Sequence, residues 1–263
     1  AYTLPGKTIE PQSSMVIVEV GTGKIKAMVG GRKQQGRQLY NRALNPRQSG
    51  SSLKPISVYS GALQKSYDLA SEGKKFPFKD TGHDRQGSKY YGDYLTASSV
   101  IVDERMTFNG QTWPQNASNS FSGAVTMRKA LQNSINVCAV KLELQVGAEY
   151  IADLVEKFGI TTLDREGGTN DLNPAALALG GLTNGVIPLE MAQAYAAFPN
   201  GGVRQSSIAY TKVTDRNGKV LLTSKSESSK VLDEGVAFVM TVMLKSVVSQ
   251  GIGSPAGISG VQA

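Results

Sequence analysis

The amino-acid sequence predicts an α+β domain in which helices pack around a small antiparallel sheet. Two β-rich runs are each followed, across a short glycine-containing turn, by a second β-rich run, which is typical of antiparallel hairpins. Elsewhere apolar residues recur at helical spacing, in runs long enough for α-helices. The chain has 263 residues, of which 40% are hydrophobic, so it is long enough to bury a core.

The first predicted hairpin joins residues 15–20 to residues 24–29 through Gly21-Thr22-Gly23. The Gly-Lys pair at its turn resembles the centre of a phosphate-binding loop. That motif needs a glycine five positions before its second glycine and Ser or Thr after the lysine, where this chain has Val18 and Ile25. We therefore predict a hairpin and reject a phosphate loop.

The middle of the chain alternates between helical and irregular patterns. Residues 54–64 have helical apolar spacing behind a Gly-Ser-Ser cluster, which predicts a helix. Residues 68–123 are polar and aromatic without periodicity, which predicts a long, loop-rich excursion. Helices are predicted again over 124–131 and 137–144. We expect a break between them, because Asn and Ser residues there cap helices and form turns.

The last third of the chain predicts a helix, a hairpin and a second helix. The first helix spans residues 188–198, begins at a proline and ends at a Pro-Asn-Gly-Gly terminator. The second hairpin links residues 208–213 to residues 219–223 through Asp-Arg-Asn-Gly. The final helix spans residues 233–248 and has an aspartate at its N-cap position.

Ser51 and Lys54 are the candidate nucleophile and base. Three residues apart at a helix start, they project from one face, so the amine can take the hydroxyl proton. The helix N-terminus adds positive potential and free N–H groups for a developing oxyanion. To act as a base near neutral pH, Lys54 needs a pKa well below its reference of about 10.4, which burial can supply. A plain N-cap beside a solvated lysine would give the same pattern.

A second Ser-x-x-Lys match, at Ser71 and Lys74, shows how weak this motif is alone. It lies in a polar segment with no helical pattern, whereas Ser51 has a glycine before it and an apolar helix after it. Ser134-Ile135-Asn136 is the only Ser-x-Asn in the sequence and falls in the predicted break. There a second hydroxyl can relay a proton and the amide can hold a substrate, although a helix cap has the same residues.

Other chemistries find little support in the sequence. A Ser-His-Asp triad would have to use His83, the only histidine, at a predicted loop tip. Cys138, the only cysteine, lies on an apolar helix and is expected to be buried. These two residues are too few for a zinc site, and we expect no metal or cofactor. The net charge of +7 suits anionic polymers or lipid headgroups, but without basic residues interleaved with aromatics we expect no nucleic-acid partner.

Three groups of residues, spread over nearly the whole chain, form a highly specific combination. They are Asn41-Arg42-Ala43 with Gly50-Ser51-Ser52-Leu53-Lys54-Pro55; Ala130-Leu131 with Ser134-Ile135-Asn136; and Leu179-Gly180-Gly181 with Gly185-Val186, Pro188-Leu189-Glu190-Met191-Ala192 and Asn200-Gly201-Gly202. In these segments the chain resembles the transpeptidase domain of class A, bifunctional penicillin-binding proteins.

The resemblance implies a penicillin-binding transpeptidase, or serine β-lactamase-like, α+β fold over residues 1–263. It further implies that Ser51 attacks the carbonyl between the two terminal D-alanines of a peptidoglycan stem peptide and that Lys54 activates it. Ser134 would pass a proton to the departing D-alanine, and Asn136 would bind the donor's amide backbone. An amine of a neighbouring stem then closes the cross-link, whereas a β-lactam leaves Ser51 blocked.

The resemblance also implies where the parent protein works. It would be an exported protein with a membrane anchor and an upstream glycosyltransferase domain, acting on stem peptides and their lipid-linked precursor at the extracytoplasmic face of the bacterial cell membrane. The apolar stretches of this sequence fall short of the roughly 20 residues that a membrane helix needs, and its start lacks a signal-peptide pattern. We therefore expect the anchor to lie outside it.

One part of the family's pattern is not in the sequence. The third motif, Lys-Thr-Gly on a core strand, would follow residues 260–263, where the sequence stops. That strand supplies an oxyanion donor, and losing one such donor lowers a rate about a hundred- to a thousandfold. We therefore expect this sequence by itself to be inactive or impaired. We also expect its first hairpin to expose an apolar face, unless a second chain supplies the missing strands.

Three rival functions remain open from the sequence. A D-alanyl carboxypeptidase differs only in using water as the acceptor. A serine β-lactamase needs an efficient base for deacylation, and residues 166–173 lack the Glu-x-x-Leu-Asn spacing of class A enzymes. A module that senses β-lactams or acts as a scaffold, without catalysis, is the rival from another class.

Overall fold

The chain folds into helices and paired antiparallel strands. The computed structural model describes residues 3–4, 7–8, 11–33, 35–76, 79–80, 89–90 and 93–258. In these residues the α-helices are α1 (Ser60–Ser71), α2 (Met127–Gln132), α3 (Asn136–Val146), α4 (Ala148–Lys157), α5 (Pro174–Leu177), α6 (Pro188–Ala196) and α7 (Glu234–Gln250). Short 3-10 turns cover Gly50–Leu53 and Ser254–Ala256, and a π-helical turn covers Pro55–Tyr59.

The described strands pair two by two, and every pair is antiparallel. The pairs are β1 (Thr3–Leu4) with β2 (Lys7–Thr8), β3 (Met15–Val18) with β4 (Ile25–Val29), β5 (Lys79–Asp80) with β6 (Lys89–Tyr90), β7 (Val100–Asp103) with β10 (Gly123–Thr126), β8 (Thr107–Phe108) with β9 (Gln111–Thr112), β11 (Val203–Gln205) with β14 (Ser228–Lys230), and β12 (Lys212–Thr214) with β13 (Val220–Thr223). The α+β class is therefore confirmed, with strands in two-stranded units.

The predicted first hairpin is present as β3 and β4, which pair from Met15 opposite Val29 onward, and β3 packs against α6. Its outer apolar residues remain in solvent: Met15 is 63% exposed, Ile17 49% and Val29 53%. These values agree with the expected exposed apolar face. The turn end of the hairpin is tied to the rest of the chain by a parallel bridge between Lys24 and Ile208.

The helix predicted over residues 54–64 begins with irregular turns. Pro55 has no N–H to donate and disfavours α-helical geometry in the residue before it. The chain passes instead through a π-helical turn, in which the Tyr59 N–H donates to the Lys54 carbonyl, five residues back (3.1 Å). The turn is completely buried, and regular α-helix follows from Ser60. Lys54 is thereby held at the base of a rigid segment.

The predicted break between two helices lies between α2 and α3. The helix predicted from residue 124 begins only at Met127, because residues 123–126 pair as β10 with β7. Thr126 is the N-cap of α2, and its Oγ1 accepts a hydrogen bond from the Lys129 N–H (3.1 Å). The strand β7 lies within the stretch that was predicted to be loop, so that prediction is wrong at this point.

The remaining predictions divide into agreements and omissions. Helices α6 and α7 match the predicted segments, and Asp233 caps α7 by accepting from the Gly235 N–H (2.9 Å). The second hairpin is present as β12 and β13, but β12 begins at Lys212, four residues after the predicted start at residue 208. The sequence analysis did not predict α4, although its buried side chains have helical spacing, or the four-residue α5. His83 and residues 259–263 lie outside the described residues.

Candidate active site

Lys54 is the centre of a polar cluster. Its side chain is only 1% exposed. The Nζ atom donates hydrogen bonds to the Ser134 carbonyl oxygen (2.8 Å), to Ser134 Oγ (3.2 Å) and to Asn136 Oδ1 (2.6 Å). These three acceptors match the three N–H donors of an ammonium group. The fold thus brings together three of the four predicted site residues, although about 80 residues separate Lys54 from the other two.

Burial lowers the pKa of Lys54 from 10.5 to about 8, because a poorly solvated site disfavours the charged amine. The nearby Cys138 acts in the opposite direction, since a thiolate would favour the ammonium. The direction agrees with the expectation for a base, although about 8 lies above neutral pH. The neutral amine, which has a lone pair able to accept a proton, therefore becomes the major form above pH 8.

Ser51 lies in the 3-10 turn before Lys54, and its side chain is exposed. Its carbonyl oxygen accepts from the Lys54 N–H (3.2 Å). Among the residues that the structure describes, none hydrogen bonds to the Ser51 hydroxyl, and the Lys54 amine is directed to Ser134 and Asn136 instead. The direct Ser51–Lys54 hydrogen bond of the mechanistic hypothesis is therefore not formed. The inward acceptors satisfy a buried ammonium, which would otherwise be destabilised.

Ser134 has a backbone conformation that few residues adopt. Its φ angle is +52°, in the left-handed region, where a residue other than glycine is disfavoured. Its N–H donates to the Leu131 carbonyl (3.0 Å), which closes the turn after α2. In this conformation the carbonyl oxygen and Oγ both face Lys54. Such geometry costs free energy and persists only where its surroundings hold it.

Residues that the sequence analysis did not single out hold the Asn136 end of this turn. The Asn136 Nδ2 donates to the Gln115 carbonyl (2.7 Å), and the Asn136 N–H donates to Asn116 Oδ1 (3.0 Å). Both partners lie in the stretch predicted as irregular. An asparagine in such a stretch is adequately explained by a turn, so no local signal pointed to this role.

The backbone before Ser51 is enclosed by the glycine-rich segment of the family signature. Arg47 exchanges two hydrogen bonds with Val186, at 3.0 and 2.8 Å. Gly180 has φ +75° and lies so close to Gly50 that a Cβ atom there would overlap the Gly50 carbonyl oxygen. This close approach fixes the peptide that leads into Ser51 and explains the need for glycine.

Replacing Gly180 with alanine is expected to lower the free energy of unfolding by about 2–4 kcal/mol, since the left-handed φ and the steric overlap both oppose a Cβ atom. The displaced Gly50 carbonyl should also shift Ser51 and lower the reactivity of this candidate nucleophile. Urea denaturation and stopped-flow kinetics measure the two effects. Gly168→Ala is the matched control, because nothing lies near its Cβ position. Equal stability of the two variants would contradict the prediction.

The second Ser-x-x-Lys match does not form a comparable cluster. Ser71 ends α1, and its Oγ donates to the Asp68 carbonyl (2.7 Å). Lys74 is exposed and pairs with Glu72 (2.6 Å). Cys138 is completely buried in α3, as predicted.

The described residues contain neither a metal-ligand cluster nor a helix that could span a membrane. Within them, no three or more His, Cys, Asp or Glu side chains are grouped so as to hold a metal ion. In the same part of the chain, no helix combines the length and apolar character that crossing a membrane requires.

Comparison with known protein families identifies the class of protein to which this fold and site belong. The family model described as "Penicillin binding protein transpeptidase domain" matches residues 13–263. The chain therefore belongs to the family of penicillin-binding protein transpeptidase domains, and the family predicted from its sequence motifs is confirmed.

Relatives within this family are called penicillin-binding protein 1A. The protein of Clostridium botulinum strain Langeland is 38% identical over 259 residues, which cover 97% of this chain and 28% of the relative. The protein of Clostridium tetani is 34% identical over 247 residues, which cover 92% of this chain and 28% of the relative. The chain thus spans less than a third of the length of these curated relatives.

Solved structures show the same fold. The crystal structure of penicillin-binding protein 1A from Haemophilus influenzae has a TM-score of 0.69 at 25% identity, over 92% of this chain and 36% of that one. The PonA1 protein of Mycobacterium tuberculosis was solved in complex with penicillin V. It has a TM-score of 0.72 at 19% identity, and the match covers 95% of this chain and 59% of PonA1. The second likeness concerns the fold alone.

Proposed function

We propose that this chain carries the acylation site of a D,D-transpeptidase that cross-links peptidoglycan stem peptides through a serine acyl-enzyme. The observation that carries the proposal is the buried Lys54 amine, which bonds to Ser134 and Asn136 and belongs to the residue three positions after the exposed Ser51. Membership of the transpeptidase family supports the substrate class. β-Lactams would acylate the same hydroxyl.

In the first step the Ser51 hydroxyl attacks the carbonyl carbon between the two terminal D-alanines of the donor stem. Neutral Lys54 accepts the hydroxyl proton, and a tetrahedral intermediate forms. When the intermediate collapses, the C–N bond breaks and the terminal D-alanine leaves. The acyl group remains as an ester on Ser51.

The leaving amine needs a proton, and Ser134 is placed to deliver it. Its Oγ lies 3.2 Å from Lys54 Nζ, within reach of the proton that the lysine accepted from Ser51. Ser134 gives its own hydroxyl proton to the amine and regains one from the Lys54 ammonium. The lysine thereby returns to its neutral form.

Asn136 is proposed to hold the donor's amide backbone. Its Oδ1 is occupied by Lys54, and one of its two Nδ2 protons is occupied by the Gln115 carbonyl. The second Nδ2 proton remains for a carbonyl oxygen of the donor stem. An amine of a neighbouring stem then attacks the ester carbonyl, the C–O bond to Ser51 breaks, and the proton lost by the amine passes through Lys54 to the Ser51 oxygen, which closes the cross-link and regenerates the hydroxyl.

We also propose that the reaction takes place at the extracytoplasmic face of a bacterial cell membrane, on stem peptides derived from a lipid-linked precursor. The relatives named penicillin-binding protein 1A support this location. The net charge of +7 suits work beside anionic polymers and headgroups.

Mass spectrometry of the full-length gene product after exposure to benzylpenicillin tests the proposal. We expect one stable adduct, on the peptide that contains Ser51, and cross-linked dimers when stem peptides replace the drug. An unmodified protein would refute the acylation site. Rapid turnover of the drug would identify a β-lactamase, and trimming of D-alanine without dimers would identify a carboxypeptidase.

A further inference from the structure

The first turn of α3 is capped from a distant part of the chain. Helix N-termini leave backbone N–H groups without intrahelical partners, and the N-cap residue Ile135 has no side chain able to accept them. The Oδ1 atom of Asn116 accepts from the N–H groups of Asn136 (3.0 Å) and Val137 (3.3 Å) instead. The Asn116 side chain, 20 residues before Asn136, thus takes the role of an N-cap for α3.

Asn116 is itself fixed in a single orientation. It is 6% exposed, and its Nδ2 donates to Asp103 Oδ1 (2.7 Å) and to the Ser120 carbonyl (3.0 Å). Asp103, in β7, is 1% exposed, and its other carboxylate oxygen accepts from the Ser122 N–H (2.8 Å). A carboxylate only accepts, so the amide nitrogen must face Asp103 and the amide oxygen must face α3.

These contacts run without interruption to the proposed base. Asp103 orients Asn116, which holds the Asn136 backbone, and the Asn136 side chain bonds to Lys54 Nζ at 2.6 Å. The same turn contains Ser134 in its left-handed conformation, which needs external support. Removing Asn116 would leave the half-buried Asn136 N–H and the buried Val137 N–H without this acceptor and release the turn.

We infer that Asn116, oriented by Asp103, is a positioning residue that holds Ser134 and Asn136 against Lys54 for the acylation step. This inference rests on the proposed function. Among the described residues, Asn116 hydrogen-bonds to neither Ser51 nor Lys54, so it acts through the geometry of the turn. Small misplacements of reacting groups are enough to slow a reaction strongly.

The test measures the acylation rate constant and the initial dissociation constant for benzylpenicillin separately, by stopped-flow kinetics on the full-length gene product. We expect Asn116→Ala to lower the rate constant about 100-fold while the dissociation constant changes less than about threefold. Gln111→Ala is the matched control, because it removes an exposed amide from the same segment. A wild-type rate constant in Asn116→Ala would overturn the inference, as would a loss confined to the dissociation constant.

A reciprocal exchange tests the pairing with Asp103 directly. Asn116→Asp alone places two carboxylates together and should slow acylation at least as much as alanine does. Adding Asp103→Asn places an amide donor at position 103 opposite the carboxylate acceptor at position 116. That carboxylate can still accept from the N–H groups at the start of α3. We expect the double variant to recover at least tenfold in rate over Asn116→Asp. Absence of any recovery would overturn the assigned role of Asp103.

Amide hydrogen exchange distinguishes this inference from the proposed function. In the drug-free protein, Asn116→Ala should remove the protection of the Asn136 and Val137 amides and leave that of the α7 interior unchanged. If the wild-type protein is not acylated but this loss is seen, the proposed function fails and the capping stands. If protection is retained in the variant, the inference fails whatever the drug does.

Discussion

Replacing Ser51 with alanine is expected to abolish the covalent adduct with benzylpenicillin. In the proposed mechanism the Ser51 hydroxyl oxygen forms the ester bond, so its removal should leave the drug with no atom to acylate. Cross-linking of stem peptides should fall by on the order of a millionfold, the loss seen when the nucleophile of a serine protease is removed. Intact-protein mass spectrometry measures the adduct, and chromatography of muropeptides measures the dimers.

Two serine variants serve as matched controls for this result. Ser52 is the neighbouring hydroxyl, and its Oγ donates to the Ser49 carbonyl (2.7 Å). Ser71 belongs to the second Ser-x-x-Lys match, which ends α1. Both Ser52→Ala and Ser71→Ala should be acylated at close to the wild-type rate. An adduct that persists in Ser51→Ala, or one that disappears in Ser71→Ala, would end the assignment of Ser51.

Replacing Lys54 with methionine is expected to slow acylation by roughly a hundred- to ten-thousandfold, the usual contribution of a general base. Methionine keeps an unbranched apolar stem but has no amine. In the wild-type protein the rate constant should rise with pH and level off above about 8, because burial lowers the pKa of Lys54 to about 8 and only the neutral amine accepts a proton. In Lys54→Met this rise should be absent.

The measurement is the single-turnover acylation rate between pH 6 and pH 10. Lys65→Met is the matched control, since Lys65 is a half-buried lysine of α1 whose amine contacts the Phe76 and Tyr150 rings, away from the site. Its variant should keep the pH dependence of the wild-type protein. A rate that falls as the pH rises through 8, or a rise that persists in Lys54→Met, would show that another group is the base.

Much of the fold could be predicted because local sequence patterns determine many of its helices and hairpins. The alternation and glycine turn of residues 15–29 suffice for a hairpin, and proline and aspartate mark where α6 and α7 begin. The strand β7 escaped prediction because it is short and its partner β10 lies about twenty residues away. The four-residue α5 is too short to show a period.

Some residues of the site could be predicted from the sequence, and others could not. The motifs pointed to Lys54, Ser134 and Asn136, and the structure places the Ser134 and Asn136 side chains within hydrogen-bond distance of the Lys54 amine. Asn116 and Asp103 were not predictable, because their partners are chosen by tertiary packing and no spacing in the sequence records it. The inward direction of the Lys54 amine likewise depends on acceptors supplied by a distant turn.

At Ser134 the left-handed backbone creates a trade-off between the stability of the fold and the proposed activity. Glycine would occupy φ +52° without the penalty that a Cβ atom brings, so drift toward a more durable fold favours losing the serine. Glycine, however, has no side-chain hydroxyl to shuttle the proton to the leaving D-alanine in the proposed reaction. Selection for cross-linking would therefore keep a serine where thermostability alone would discard it.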